Sequence, residues 1–222
     1  MALEAVSGGT QPHQSLCSTG LPFQPLPRPT MPHLVVIIGP PASGKAAIGA
    51  KVAEALGYRF FHNHLTANPV AALFGWVTPK FGEVVDEVRD LLFSHAANDP
   101  QIPGVVFTFV WAFNEPQDRA TIERLAARFA DAGGSVHFVE LLASLEARIG
   151  REGTPFRRKH KPNQDDPAEA AERQRRFAVQ YTMNSGGHLG LPYPHLIIDT
   201  EAVTEDEAAA RITRFVTAGS RA

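Results

Sequence analysis

One stretch narrows the fold of this chain more than any other. The apolar run His33-Leu-Val-Val-Ile-Ile38 opens directly into Gly39-Pro-Pro-Ala-Ser-Gly-Lys45, and a helical pattern follows. A β-branched run without polar alternation suits a strand covered on both faces, which is the habit of parallel sheets. The helix is expected from about Gly44 to Leu56, with Ile48, Val52, Ala55 and Leu56 facing inward and Gly57 ending it. Strand, tight glycine-bearing turn and helix in that order make a cradle for an anion. Glycines let successive backbone N–H groups converge, and the start of the helix adds its positive dipole end.

The spacing Gly39-x-x-x-x-Gly44-Lys45 is the phosphate-loop pattern in the strand–helix context that gives it meaning. Lys45 supplies a mobile charge for the outer phosphates of a nucleoside triphosphate. The nucleotide-binding stretch is Gly39, Pro40, Pro41, Ala42, Ser43, Gly44, Lys45, Ala46 and Ala47. One position departs from the pattern: the residue after the lysine, whose hydroxyl would bind Mg²⁺, is Ala46, and Ala47 offers no substitute. Mg²⁺ keeps several waters and takes much of its coordination from phosphate oxygens, so it is expected to be held mainly through the ATP phosphates and water. No protein metal site is expected. The competing reading of the loop is a glycine-rich turn that binds nothing.

Downstream, strand and helix patterns alternate, the signature of a parallel sheet with helices on both faces. Strands are expected at Tyr58–Phe61, Val105–Trp111, Val136–Leu141 and His195–Ile198. Helices are expected at about 66–76, 82–97, 116–132 and 145–151, from Asp166 onward, and from Thr204 onward. In the second of these, Phe81, Val84, Val85, Val88, Leu91 and Leu92 recur at 3–4 spacing and form its inner face. The helix after the third strand, at 116–132, is expected to bury Ile122, Leu125, Ala126 and Phe129. Asp166-Pro167 and Thr204-x-x-Glu207 are helix starts. The last helix is expected to bury Ala208, Ile212, Phe215 and Val216.

At these residues the chain resembles the nucleotide- and shikimate-kinase-like branch of the P-loop superfamily. The resemblance runs from Pro32 to about Ala218. It rests on GPPASGKAAIG, on FHNH after the second strand, on EARIGREGTPFRRKHKP, and on LIIDT before the last helix. Within that branch the chain is similar to a group of bacterial P-loop proteins that pair a GPPA-x-GK-x-T loop with FHNH. Ala47 stands where that group has its hydroxyl. The resemblance implies an α/β three-layer sandwich whose five-stranded parallel sheet runs 2-3-1-4-5, with mobile segments closing over the substrates. It also implies ATP as phosphoryl donor and a small-molecule acceptor.

The resemblance further implies that Arg148 and Arg151, on the helix after the fourth strand, contact phosphates. Arg157, Arg158 and Lys159 would then belong to a lid at about 152–166. A solvated basic face is the plainer reading of the same charges. His62 and His64, at the carboxyl end of the second strand, are candidates to handle the acceptor hydroxyl, because an imidazole ordinarily titrates near neutrality. Alternation puts them on one side if the strand continues. Structural hydrogen-bonded histidines are the alternative, and zinc is disfavoured because no third ligand stands at recognisable spacing. Trp111, Phe113, Phe74 and Trp76 either line an acceptor pocket or sit in the core. Glu115 and Asp118 are the first acids after the third strand; they either orient metal-bound water or begin a helix.

Residues 1–31 are rich in Pro, Gly, Gln and Ser, lack an apolar period, and are expected to be a disordered extension of a single 32–218 domain. Met31, directly before the first strand, is the expected natural start. A net charge of −2 and no broad basic surface argue against nucleic acid as a partner. The longest apolar run falls short of the ~20 residues that span a bilayer. The lone Cys17 permits no internal disulfide and points to a reducing, cytoplasmic setting. Two functions follow from these features: a small-molecule kinase, or a nucleotide-binding sensor that has lost efficient transfer. A polynucleotide kinase on the same core is disfavoured by the charge balance.

Overall fold

Continuous β-branched and aromatic runs form the centre of the molecule. The computed structural model describes residues 31–152 and 166–219. The extension upstream of Met31, Arg157, Arg158, Lys159 and nearly all of the 152–166 segment lie outside the described residues. Five strands form the sheet: β1 (His33–Ile38), β2 (Arg59–His62), β3 (Gly104–Phe109), β4 (Val136–Leu142) and β5 (His195–Asp199). They run in the order β2-β3-β1-β4-β5, and every pairing is parallel. Seven helices accompany them among the described residues: α1 (Lys45–Leu56), α2 (His64–Phe74), α3 (Pro79–Ala96), α4 (Pro116–Asp131), α5 (Leu145–Arg151), α6 (Pro167–Gln180) and α7 (Glu205–Gly219).

The pleat sends alternate residues of each strand to opposite faces, and each face has its own core. Leu34, Val36, Ile38, Phe107 and Phe109 pack with Phe93 of α3 and with Ile122, Leu125 and Phe129 of α4. Val35, Ile37, Val106, Val139 and Leu141 pack with Ile48 and Val52 of α1 and with Ala208, Ile212 and Val216 of α7. The α7 start is a reciprocal capping box: Glu207 N donates to Thr204 Oγ1 at 3.2 Å, while Thr204 N donates to Glu207 Oε2 at 2.8 Å. Asp166 caps α6 by accepting from Ala168 N at 2.8 Å.

Two helical faces and one element boundary differ from the sequence expectation. Ala55 of α1 is exposed and Ala53 turns inward. In α3 the buried positions are Val85, Arg89 and Phe93, spaced four apart, while Leu91 and Leu92 are exposed. The apolar count favoured one stripe, but Phe93 reaches Phe61, Phe107 and Phe129 and so fixes the rotation of the helix. The third difference is at the end of β2. The strand stops at His62, Asn63 is already helical (φ −45°, ψ −39°), and α2 begins at His64.

Candidate functional site

The phosphate loop owes its shape to three residues in left-handed backbone. Gly39 has φ +143°, Ala42 +65° and Gly44 +91°. A Cβ on Gly39 would lie 2.5 Å from the Leu141 carbonyl oxygen, so only glycine lets the chain leave β1 this close to β4. Gly44 is the N-cap of α1, and no side chain caps that helix. Its first-turn amides therefore face the loop mouth. Lys45 folds back over the loop, donating from Nζ to Gly39 O at 2.8 Å and Pro40 O at 2.6 Å, with Ser43 Oγ at 3.5 Å. This places an ammonium above converging N–H donors, an arrangement that suits a polyphosphate.

Arg151 reaches the same loop. As the last residue of α5 it donates through Nη1 to Ala42 O at 3.3 Å and to Thr200 Oγ1 at 3.0 Å, and through Nη2 to Thr200 O at 3.0 Å. Arg148 is placed differently. It is buried, and its Nη1 donates to Gln174 Oε1 at 3.0 Å; Gln174 in turn donates to Glu152 Oε1 at 2.6 Å. Burial pulls the Arg148 pKa below the ordinary guanidinium range, with Glu146 opposing. One edge of Arg148 lines a cleft of about 620 Å³ at the carboxyl ends of β4 and β5, with Pro40, Ser144, Asp199 and Glu201 on its wall.

Glu140, on β4, underpins the far side of that cleft. A carboxylate inside the run Val-His-Phe-Val-Glu-Leu-Leu is costly unless partnered, and that was a readable signal. Ser185 donates to it from backbone N at 2.8 Å and also from Oγ, and His195 Nε2 lies 3.2 Å away. Burial alone would raise the Glu140 pKa, but these hydrogen bonds outweigh it and the carboxyl sits below its ordinary range.

Across the sheet, β3 separates the ends of β1 and β2, which puts them about 10 Å apart. His62 and His64 come close there by a route the strand pattern did not foresee. One ends the strand and the other opens a helix, yet their ring centroids are 6.3 Å apart. His64 Nδ1 lies 3.2 Å from Asn68 Oδ1, and its ring meets Trp76 edge-on at 6.2 Å. Trp76 and Phe74 are exposed, whereas Trp111 is buried and stacks on Phe113 at 4.4 Å.

The sequence reading missed the residue that organises this side. Arg89 is 6% exposed; it donates to Thr66 Oγ1 at 3.2 Å and to Asn63 Oδ1, and lies 3.7 Å from Asp86 Oδ1. Its guanidinium sits 5.5 Å from the Phe109 ring centroid. Burial lowers its pKa to about 10, with Asp86 and Asp118 opposing, so it stays charged at neutral pH. Asp118 accepts from Ala112 N at 2.8 Å just past β3. Burial raises its pKa to about 6 against that hydrogen bond and the pull of Arg89. A charged residue four positions from Val85 and from Phe93 was the only sequence sign of Arg89.

As to metals, the described residues contain no group of three His, Cys, Asp or Glu side chains able to hold one. Ala46 and Ala47 bring no oxygen to the loop. No helix among the described residues is long and apolar enough to cross a membrane.

A strand-to-helix glycine loop with its lysine, at the carboxyl ends of a 2-3-1-4-5 parallel sheet, defines the P-loop kinase fold. Solved structures agree with that class. A shikimate kinase from Acinetobacter baumannii, in complex with shikimate, superposes with a TM-score of 0.52 at 19% identity, covering 86% of this chain and 96% of that one. A sugar kinase from Janibacter sp. gives 0.54 at 16% identity, covering 84% and 95%. In sequence, the chain is 28% identical over 163 residues to the cytidylate kinase of Chloroflexus aggregans, a stretch spanning 68% of this chain and 70% of that protein. No protein-family model matches the chain.

Proposed function

We propose that the chain binds ATP at residues 39–47 and transfers its γ-phosphoryl group to a hydroxyl on a small molecule seated at the ends of β2 and β3. The observation that carries this reading is Lys45 folded over a loop with left-handed turns at Gly39, Ala42 and Gly44, at the uncapped start of α1. Phosphoryl transfer depends on positioning and on neutralising spread negative charge, which a lysine, a helix N-terminus and nearby guanidinium groups supply. Mg²⁺, bound through the phosphates, would add charge neutralisation there. The cleft beside Ser144, Asp199 and Glu201 suits the ribose and base, because its carboxylates can accept from hydroxyl groups.

In the transfer step the acceptor O–H gives its proton to a ring nitrogen of His62 or His64. Its oxygen bonds to the γ-phosphorus while the bridging bond to the β-phosphate breaks, leaving ADP. Arg89 donates to Asn63, the residue between the two histidines in sequence. Arg157, Arg158 and Lys159 are proposed as a closing segment that excludes water. The likeness in fold to a shikimate kinase and a sugar kinase supports a small hydroxylated acceptor, and the sequence likeness to a cytidylate kinase supports phosphoryl transfer without favouring a hydroxyl.

Calorimetric titration with ATP, with and without Mg²⁺, followed by ADP release over a panel of hydroxylated metabolites, tests the proposal. Absence of ATP binding would sink it. Ala46 and Ala47, which bring no metal-binding hydroxyl to the loop, favour a second reading: a nucleotide sensor with impaired transfer. Tight ATP binding with no ADP release on any acceptor would select that reading.

A further inference from the structure

Residues 200 and 201, just past β5, grip α5 at both ends. Glu201 accepts from Ser144 N at 2.7 Å and from Ser144 Oγ at 3.1 Å, so it holds the residue that caps the helix. Thr200 takes both arms of the Arg151 fork at the other end. Thr200 is itself fixed, donating from backbone N to Leu142 O at 3.0 Å and from Oγ1 to the same oxygen at 2.9 Å. Arg151 also donates to the carbonyl of Ala42, the loop residue at φ +65°. That conformation is unfavourable for any residue with a Cβ and persists only when its surroundings hold it. β4, β5, α5 and the phosphate loop thus meet at one guanidinium.

We infer that Arg151 is a positioning residue for the phosphate loop, acting through Thr200 and Ala42, and that Thr200 is therefore a determinant of phosphate affinity although it lies far outside the loop motif. The inference rests on the nucleotide-binding reading above and revises the role implied for Arg151, which was direct contact with phosphate. A planar fork suits the task, since its fixed donors meet the two Thr200 oxygens side by side while Nη1 also reaches the Ala42 carbonyl, whereas an ammonium is a single point of charge with no fixed plane. The same contacts link the wall of the cleft at Glu201 to the loop, so the two parts of a nucleotide site share one rigid strut.

The test uses the whole chain with ATP and inorganic tripolyphosphate as probes, and it compares Thr200→Val, Thr200→Ser, Arg151→Met and the Val/Met double variant. Thr200→Val is expected to weaken both probes by the same factor, about five- to tenfold, because a hydrogen bond to a charged group is lost away from the ligand. Thr200→Ser keeps the hydroxyl and stays within about twofold of the parent. The double variant loses less than the product of the single losses. Without any ligand, amide exchange over residues 42–44 is expected to quicken in both single variants. Affinity lost with unchanged loop exchange would return Arg151 to direct phosphate contact and overturn the inference. Loss confined to ATP would overturn it too, by assigning Thr200 to the base. If the unsubstituted chain binds neither probe, the nucleotide reading itself falls, and the two failures are told apart by the protein in which they occur.

Discussion

The two halves of the candidate site lie on the same edge of one sheet but are built from different materials. On the β1 side, recognition is a matter of backbone: left-handed residues, uncapped helix amides and one lysine held by carbonyl oxygens of its own loop. On the β2 side it is a matter of side chains gathered from afar. Arg89 of α3 bonds Asn63 and Thr66 around the start of α2, next to His62 and His64 in the chain, and feels the charge of Asp118 of α4. A phosphate site can be encoded within a few consecutive residues because every phosphate is alike. An acceptor site must fit one molecule, and it draws on elements that the chain brings together only by folding.

The contrast can be broken or sharpened by four measurements. The largest effect is expected from Lys45→Ala, which should lower phosphoryl transfer about a thousandfold if its charge acts on the transferred group. Activity near that of the parent would dissolve the phosphate half of the comparison. His62→Ala and His64→Ala come next: the ring that takes the proton should cost about a hundredfold in kcat with KM for ATP little changed. Equal, small losses in both variants would make the histidines structural.

Arg89→Met is expected to act on stability first. Removing a buried charge from beside Asp86, Asp118 and the Asn63 amide should cost about 3 kcal/mol in denaturant unfolding. A variant as stable as the parent would show that the β2 side does not depend on this guanidinium.

The smallest effect concerns Asp118. Its folded pKa, near 6, lies above its ordinary value of 3.8, so the folded chain holds that proton to higher pH than the unfolded chain does. The contribution of the group therefore favours folding at low pH, and is lost as pH rises from about 4 through 6. Asp118→Asn should match the parent near pH 3.5 and melt several degrees higher at pH 7.5. A lower melting temperature at pH 7.5 would mean that the Arg89–Asp118 attraction outweighs burial.

Much of the architecture was legible. The unbroken run 33–38, the helix start at Thr204-x-x-Glu207 and the Asp166 cap are local signals, and each element stands where its residues place it. The sheet order agrees with the resemblance. The face of α3 was not legible, because six apolar residues at helical spacing outvoted the arginine among them. What turned the helix was Phe93 finding three aromatic partners from other elements. His62 and His64 were expected to share a side only if the second strand continued; the chain turns into a helix there instead, and their ring centroids still lie 6.3 Å apart. Arg148 and Arg151 read alike in sequence, three positions apart, and the structure sends one into a buried Gln174–Glu152 network and the other to the phosphate loop.

The sequence by itself determined the strand–loop–helix unit at 33–56, since backbone conformation, turn glycines and short-range hydrophobic period act between near neighbours. Tertiary structure alone decided which charges are buried. Whether a guanidinium ends in solvent, over a phenylalanine ring or across a loop carbonyl depends on the desolvation and hydrogen-bond partners that distant segments provide. Those distant partners are why Arg89, which stands in no motif, and Thr200, which reads only as the end of LIIDT, bear on the two sides of the candidate site.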